Sequence, residues 1–379
     1  MTTKRIALFL DGTWNNLDDN TNVWRMKCLC KQSADQIVYY SAGVGTARGE
    51  KISGGAFGIG INEEVEAAYE WLMDNYEADS QIFIFGFSRG AFTARSLAGF
   101  ISKCGLLRSG SPLSMSQLYE RYRKGDAPSI RELAHEDCES LEDRWLKKYS
   151  RPIPIWFQGV WDTVGSLGVP IPGLPKVSHH AFDFLEVDLR INDTHAFHAL
   201  AIDEHRGAFK PTLWVKATSP GEPGPPERDI AHVEQRWFVG AHANVGGGYP
   251  NDILAQPPLK WLMEKAIAHK LEFKESIDVD DELYTCAIND SYLEMGYGLY
   301  AIATLGQKLE REIGADPKEI DGHTVHTINE SIDASVFERW RRDAEYRPKN
   351  LQEWAKRKKV DPAQLMTSVL AADPAVIAI

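Results

Sequence analysis

Cysteine is scarce in this sequence, and the few cysteines form no pattern typical of a disulfide or metal site. There are five among 379 residues: Cys28, Cys30, Cys104, Cys138 and Cys286. Zinc-binding and redox motifs commonly place two residues between paired cysteines, whereas Cys28 and Cys30 have one residue between them. An odd number of cysteines in a chain of this length indicates reduced thiols. The sequence therefore predicts no metal site, and we expect no cofactor.

Long apolar segments are missing as well. No run approaches the ~18 apolar residues that a membrane-spanning helix needs. The first residues lead directly into a short apolar segment at 6–10, which is too short for the core of a signal peptide and has no small-residue cleavage site after it. We therefore expect a cytoplasmic protein, or one that is exported without a cleaved signal peptide.

Positive charge is also in deficit, since the formal net charge is −12. An acidic surface repels the phosphate backbone, so we do not expect nucleic acid as a partner. Basic residues are concentrated at 339–359, and we interpret this stretch as a solvated helical face.

Short strands that alternate with helices dominate what the sequence does contain. Apolar segments rich in β-branched or aromatic residues predict strands at 6–10, 37–40, 82–85, 155–160 and 236–239. Helical spacing predicts helices over 62–77, with Asn62 as N-cap, and over 91–104, with Gly105 as the stop. This alternation predicts an α/β fold with a mostly parallel sheet and helices on both faces. We predict one domain over 1–345, with a helical insertion at about 108–150, and a helical tail over 346–379.

Ser88 stands at the centre of a G-x-S-x-G motif, Gly86-Phe87-Ser88-Arg89-Gly90, between a predicted strand and a predicted helix. That context is the one required of a nucleophile elbow, in which a tight turn exposes the serine hydroxyl above the sheet. Ser88 is therefore the candidate nucleophile. The alternative is an ordinary strand–helix turn with an inert serine.

A serine nucleophile needs a histidine base and an orienting carboxylate, which in this fold class follow in the order Ser, Asp or Glu, His. Asp162 lies just past the predicted strand at 155–160 and is the candidate acid. His242 follows the last predicted strand and precedes three glycines, and it is the candidate base. Asp203 and His326 are the alternatives. His205 is a weaker candidate for the base. His179 and His180 follow a loop and are expected at the surface.

Backbone amides at two turns, one directly after Ser88 and one after the first strand, are candidates for an oxyanion hole. The Arg89 amide would supply one donor, and Gly12 or Thr13 a second, with Asp11 bracing the loop. Asp18 and Asp19 lie nearby, but their spacing fits no calcium loop. The glycines at 43–60 match neither nucleotide fingerprint, so we interpret them as a loop at the rim of the site.

Taken together, these motifs resemble the α/β-hydrolase-like family that includes the type VI secretion phospholipase effectors. The resemblance covers roughly residues 5–345 and is carried by five segments in one order: Leu8-Phe9-Leu10-Asp11-Gly12-Thr13-Trp14-Asn15, Gly86-Phe87-Ser88-Arg89-Gly90-Ala91, Gly159-Val160-Trp161-Asp162-Thr163-Val164-Gly165, Ala201-Ile202-Asp203-Glu204 and Trp237-Phe238-Val239-Gly240-Ala241-His242-Ala243-Asn244-Val245-Gly246-Gly247-Gly248-Tyr249. It implies hydrolysis of glycerophospholipid esters, with Ser88, Asp162 and His242 matching the family's serine, aspartate and histidine.

The resemblance further implies a lipid or ester substrate, transient contact with a membrane surface, and an immunity or secretion-system partner. The chain departs from the family at Asn244, where aspartate is usual, and the known effectors are longer. Two other functions compete with the lipid esterase. One is a non-catalytic interaction protein on a hydrolase scaffold, and the other is a general esterase or an acyltransferase that uses the same residues.

Overall fold

The computed structural model describes residues 3–12, 20–43, 56–135, 138, 140–165, 189, 193–218, 227–294, 299–320 and 322–371. The strands are β1 (Arg5–Leu10), β2 (Gln36–Ser41), β3 (Gln81–Phe87), β4 (Leu106–Leu107), β5 (Ser150–Arg151), β6 (Ile155–Trp161), β7 (Asp193–Ala201), β8 (Val215–Thr218), β9 (Val233–Phe238), β10 (Lys318–Ile320), β11 (His323–Thr327), β12 (Glu330–Ile332) and β13 (Val369–Leu370). The helices are α1 (Asn22–Leu29), α2 (Ala56–Asn75), α3 (Arg89–Cys104), α4 (Met115–Arg123), α5 (Ile130–Leu133), α6 (Leu141–Tyr149), α7 (His242–Gly246), α8 (Gln256–Ala268), α9 (Ser291–Glu294), α10 (Leu299–Ala303), α11 (Ala334–Arg342) and α12 (Lys349–Lys358).

One eight-stranded sheet organises the chain, in the order β13-β12-β9-β7-β6-β3-β1-β2. Every neighbouring pair is parallel except β12 and β13. Parallel strands end at the same edge of a sheet, so the residues that follow β1, β3, β6 and β9 are brought to one edge. The predicted α/β class, with a mostly parallel sheet, is confirmed.

Both faces of the sheet are buried, as the uninterrupted apolar strands require. In β1, Ile6, Leu8 and Leu10 belong to one apolar cluster, together with residues of α2 and α3. Ala7 and Phe9 point to the opposite cluster, which includes residues of α1 and α8. The alternation has the period of two that successive side chains of a strand impose.

All five predicted strands are present, with ends shifted by up to three residues. The sequence did not predict β7, because Asp193–Ala201 contains two histidines and three alanines and a single β-branched residue, Thr194. The prediction of Asn62 as an N-cap is wrong, since Asn62 lies inside α2 and its Oδ1 accepts a 2.6 Å bond from the Tyr119 hydroxyl. Gly105 does end α3, with a φ of 67° that favours glycine.

The predicted insertion at about 108–150 contains α4, α5 and α6, and it packs on α3. Leu118, Tyr122 and Leu133 lie in the same apolar cluster as the buried face of that helix. At the C-terminal end, β13 adds an antiparallel edge strand, and the Trp354 indole donates to the Ala371 carbonyl at 3.0 Å. The tail therefore contributes a strand as well as the predicted helix. No helix in the described part of the chain is long and apolar enough to cross a membrane.

Candidate active site

Ser88 occupies the single residue between β3 and α3, and its backbone is in an unusual conformation. Its φ of 57° and ψ of −120° fall in a region that residues with side chains rarely adopt. The Ser88 amide donates to the Trp161 carbonyl at the end of the neighbouring strand, at 3.1 Å. The sharp turn projects the serine from the carboxyl edge of the sheet, which is the geometry of a nucleophile elbow.

The glycines on either side of Ser88 are required by close backbone contacts. A Cβ at Gly86 would lie 2.4 Å from the Gly90 carbonyl oxygen, and a Cβ at Gly90 would lie 2.2 Å from the Leu10 carbonyl oxygen. Both distances are far shorter than a van der Waals contact, and the clashing atoms belong to packed backbone that cannot shift to relieve them. The motif therefore reflects packing of the turn against the end of β1, as well as the serine itself.

The structure brings together the three side chains that the sequence singled out. His242 Nε2 lies 2.8 Å from Ser88 Oγ, and His242 Nδ1 lies 2.5 Å from Asp162 Oδ2. Asp162 directly follows β6, and His242 begins α7 after β9. All three follow neighbouring or near-neighbouring parallel strands, so the strand order explains their convergence.

Asp162 is held by more partners than sequence reasoning found. Its Oδ1 accepts bonds from the Ala201 amide at 3.0 Å and from Arg311 Nη1 at 2.6 Å, while its Oδ2 accepts from Arg311 Nη2 at 3.0 Å. Both side chains are fully buried. No local motif marks Arg311, which lies in an irregular segment after α10. Only a comparison of many related sequences could have pointed to a pairing of Arg311 with Asp162.

Burial and charge fix the ionisation of this group of side chains. Burial by itself would raise the pKa of Asp162, but the Arg311 guanidinium and the hydrogen bond from His242 outweigh it and hold that pKa below its usual range. Burial lowers the pKa of His242, and the opposing effect of Asp162 is the smaller one. Asp162 raises that pKa, as a neighbouring carboxylate does, but desolvation of the buried ring outweighs it. His242 is accordingly neutral at neutral pH, with one nitrogen able to accept a proton.

Two aromatic rings and one carboxylate hold His242 in place. The rings of Phe87 and Phe209 have their centroids 4.7 Å and 4.9 Å from that of the imidazole. The buried Glu204 carboxylate accepts from the His242 amide at 3.2 Å and from Arg206 Nε at 2.9 Å. Arg206 in turn stacks over Phe209. The ring therefore sits in a packed pocket that restricts its rotation.

The backbone amides predicted to form an oxyanion hole differ in their positions and in their hydrogen bonds. Arg89 is the first residue of α3, so its amide lies at the positive end of the helix dipole, next to Ser88. The Gly12 amide instead donates to Asp11 Oδ1 at 2.8 Å, so in this structure it is already committed. Asp11 also accepts from the Thr21 and Tyr40 hydroxyls, at 2.6 Å and 3.2 Å, and so braces the end of β1. Thr13 lies outside the described residues.

The alternative acid and bases lie elsewhere. Asp203 accepts from the Gly240 amide at 2.7 Å and from the Tyr346 hydroxyl at 3.3 Å, and so ties the end of β9 to the C-terminal region. His326 is in β11, opposite Lys216 of β8 in a separate three-stranded sheet. His205 Nδ1 lies 3.1 Å from the Leu309 carbonyl. His179 and His180, like Asp18, Asp19 and most of the loop at 43–60, lie outside the described residues. Among the residues that are described, no cluster of potential metal ligands is found.

Asn244, where the resemblance implies an aspartate, has a structural reason to be an amide. Its Nδ2 donates to Asp252 Oδ2 at 3.1 Å and to Asn289 Oδ1 at 3.0 Å, while its Oδ1 accepts from the Ala241 amide at 3.0 Å. An aspartate there would have no hydrogen to donate and would face another carboxylate. Burial already raises the pKa of Asp252 to about 6.

The Asn244→Asp substitution is expected to destabilise the protein more near pH 8 than near pH 5. A carboxylate whose folded pKa exceeds its ordinary value of ~3.9 contributes stability at low pH, which is lost as pH rises through the folded pKa. Two adjacent carboxylates strengthen this effect, and we expect a loss of about 1–3 kcal/mol near pH 8. Urea denaturation at the two pH values measures it. Asn244→Ala is the control: it removes the hydrogen bond that lowers the pKa of Asp252 but adds no second carboxylate, so its loss should differ less between the two pH values than the loss in Asn244→Asp. An equal loss in Asn244→Asp at both pH values would rule out the carboxylate pair.

The fold and the arrangement at its sheet edge define the class: an α/β protein whose elbow serine contacts a histidine that contacts an aspartate. Within that class, the model of the catalytic domain of type VI secretion, Tle1-like phospholipase effectors matches residues 4–265. The chain belongs to this family.

The individual proteins that the chain resembles either have low sequence identity to it or match only part of it. The uncharacterized protein YEL023C of Saccharomyces cerevisiae is 31% identical over 231 residues, which cover 55% of this chain and 32% of the yeast protein. A crystal structure of an uncharacterized protein from Pseudomonas aeruginosa is 18% identical, with a TM-score of 0.47, covering 74% of this chain and 49% of that one. A Tle1 effector bound to the VgrG spike is 20% identical, with a TM-score of 0.33, covering 66% and 52%. The chain thus spans about a third of the yeast protein and about half of each solved chain.

Proposed function

We propose that this protein is a serine hydrolase that cleaves carboxylic ester bonds of phospholipids. The observation that carries the proposal is the unbroken line of hydrogen bonds from Ser88 Oγ to His242 Nε2 and from His242 Nδ1 to Asp162 Oδ2. A non-catalytic scaffold has no need of a serine in a strained backbone conformation beside a neutral, buried histidine. Membership of a phospholipase effector family supports the lipid substrate, and by the same membership a type VI secretion partner belongs to the proposal.

The proposed reaction has two halves. In the first, Ser88 Oγ attacks the ester carbonyl carbon and its proton passes to His242 Nε2, which then protonates the leaving alcohol as the C–O bond breaks. In the second, His242 takes a proton from water, whose oxygen attacks the carbonyl carbon of the acyl-serine; the bond from that carbon to Ser88 Oγ then breaks, His242 returns the proton to Oγ, and the fatty acid leaves. Asp162 keeps Nδ1 as the protonated nitrogen and stabilises the imidazolium that forms.

Negative charge on the carbonyl oxygen needs donors at the turn. We propose the Arg89 amide as one donor, because it lies at the first position of α3, where the helix dipole also favours negative charge. A second donor from the Thr13 amide stays a prediction, whereas the Gly12 amide would first have to leave Asp11. The partly exposed Phe209 ring beside His242 offers apolar surface suited to an acyl chain.

The expected pH dependence follows from the base. Since burial lowers the pKa of His242, kcat/KM should be constant at neutral pH and should fall on the acid side below ~6.5, with a slope of one proton. The measurement is hydrolysis of phospholipid vesicles and of short-chain p-nitrophenyl esters from about pH 5 to about pH 9. A kcat/KM that does not change with pH would exclude a histidine base. Hydrolysis of the soluble esters alone would leave a general esterase, and labelling by a fluorophosphonate without any hydrolysis of water-soluble or lipid esters would favour acyl transfer.

A further inference from the structure

We propose that Arg311 is a positioning residue of this site: it fixes both oxygens of Asp162 and balances their charge, so that His242 stays neutral and free to accept the Ser88 proton. This inference rests on the proposed function, because it concerns the same three side chains. It adds a fourth residue that no motif of the sequence indicated.

The contact between Arg311 and Asp162 has two parallel arms. Nη1 meets Oδ1 at 2.6 Å and Nη2 meets Oδ2 at 3.0 Å, and neither side chain is exposed to solvent. A two-point contact of this kind fixes the plane of a carboxylate as well as its position. The plane matters here, because Oδ2 is also the atom that accepts from His242 Nδ1.

The same guanidinium also reaches the backbone that carries the rest of the site. Nη1 donates to the Ala201 carbonyl at 2.8 Å, at the end of β7, and Nη2 donates to the Phe209 carbonyl at 2.5 Å. The Phe209 ring packs against the His242 imidazole. Arg311 thus links the acid, the end of a central strand, and the residue that covers the base.

Arg311 reaches the site from outside the part of the chain that matches the family model, which ends at residue 265. The segment around it is tied down by the Leu309 amide, which donates to the His205 carbonyl at 2.8 Å. It is also tied by Arg357 Nη2, which donates to the Ile313 carbonyl at 2.5 Å. The site as a whole therefore needs residues beyond the matched region.

The positive charge of Arg311 affects the protonation of the Asp162 and His242 pair. The charged or titratable groups that face Asp162 are Arg311, His242 and His198, and those that face His242 are Asp162, Glu204 and Arg206. Without Arg311, a fully buried carboxylate is left uncompensated, which is strongly unfavourable. The pair of Asp162 and His242 then gains a proton at a higher pH than before. The proton settles on the ring, whose ordinary proton affinity exceeds that of a carboxylate, and a protonated ring cannot accept the Ser88 proton.

The test compares Arg311→Gln and Arg311→Lys with the wild type in the full-length protein. Two readouts are followed against pH: the rate at which a fluorophosphonate labels Ser88, and the NMR titration of the His242 ring nitrogens. Arg311→Gln should move the acid limb of labelling and the midpoint of the ring titration upward by about one pH unit or more, with labelling recovering at alkaline pH. Arg311→Lys keeps the positive charge but cannot make the two-point contact with Asp162. The acid limb of its labelling rate should therefore stay near that of the wild type, while the plateau of that rate falls. Arg357→Gln is the matched control, because it loosens the same segment without touching Asp162, and its pH profile should be that of the wild type.

Three results would overturn the inference. One is a wild-type acid limb in Arg311→Gln with a lower rate at every pH, which would mean a purely structural role. Another is the same upward shift in Arg357→Gln, which would assign the effect to the segment as a whole. If Arg311→Gln does not fold, Arg311→Lys decides, and a wild-type plateau rate there would exclude two-point positioning. Failure of the proposed function is distinguishable: no ester is then hydrolysed by the wild type, yet the NMR titration still tests Arg311.

Discussion

Replacing Ser88 by alanine is expected to lower kcat/KM for ester hydrolysis by several orders of magnitude and to leave the free energy of unfolding nearly unchanged. The Oγ atom is the proposed nucleophile, so its loss removes the acyl-enzyme route altogether. The fold should tolerate the change because the Ser88 hydroxyl makes its side-chain hydrogen bond with His242, and alanine fits the same turn. Backbone strain at the elbow is shared by both residues, since its cause is the positive φ.

Kinetics with phospholipid vesicles and urea denaturation measure the two halves of this expectation. Ser96→Ala is the matched control, because Ser96 is a buried serine of α3, the helix that follows Ser88, and its hydroxyl has no hydrogen-bond partner in the described structure. That variant should keep wild-type activity. If Ser88→Ala retains more than roughly a tenth of the wild-type turnover, far above the residual activity of an enzyme without its nucleophile, the serine mechanism is wrong.

Replacing His242 by alanine is expected to cost about as much activity as Ser88→Ala. Members of a triad act as a unit, so the double variant Ser88→Ala/His242→Ala should be hardly less active than either single variant. His242 also fills a packed site between Phe87 and Phe209, so a loss of stability is expected as well, and activity must be compared at a temperature where the variant is folded.

His326→Ala and His205→Ala are the controls for the base. His326 lies in a separate small sheet, and His205 contacts the Leu309 carbonyl, so neither change should alter the pH profile of the remaining activity. Circular dichroism confirms that each variant is folded. Should His326→Ala be the variant that loses activity while His242→Ala stays active, the base would have to be assigned to His326.

The sequence by itself determined the local parts of this protein. The elbow could be predicted because a strand, a glycine-flanked serine and a helix are neighbours along the chain, and steric limits on that turn leave few alternatives. Asp162 and His242 could be placed at the same edge because each follows an apolar strand, and parallel strands share their carboxyl edge. These short-range patterns also carried the resemblance that the family match over residues 4–265 confirmed.

Only the tertiary structure decided how the site is held and charged. Arg311, Glu204 and Asn244 act through partners far away in sequence, and no periodicity or motif encodes such pairs. The direction of the pKa shift at His242 depended on whether burial or the neighbouring carboxylate dominates, which is a matter of packing around the ring. β7 was hidden for a related reason: its alanines and histidines lack intrinsic strand preference, and the neighbouring strands on both sides make it a strand.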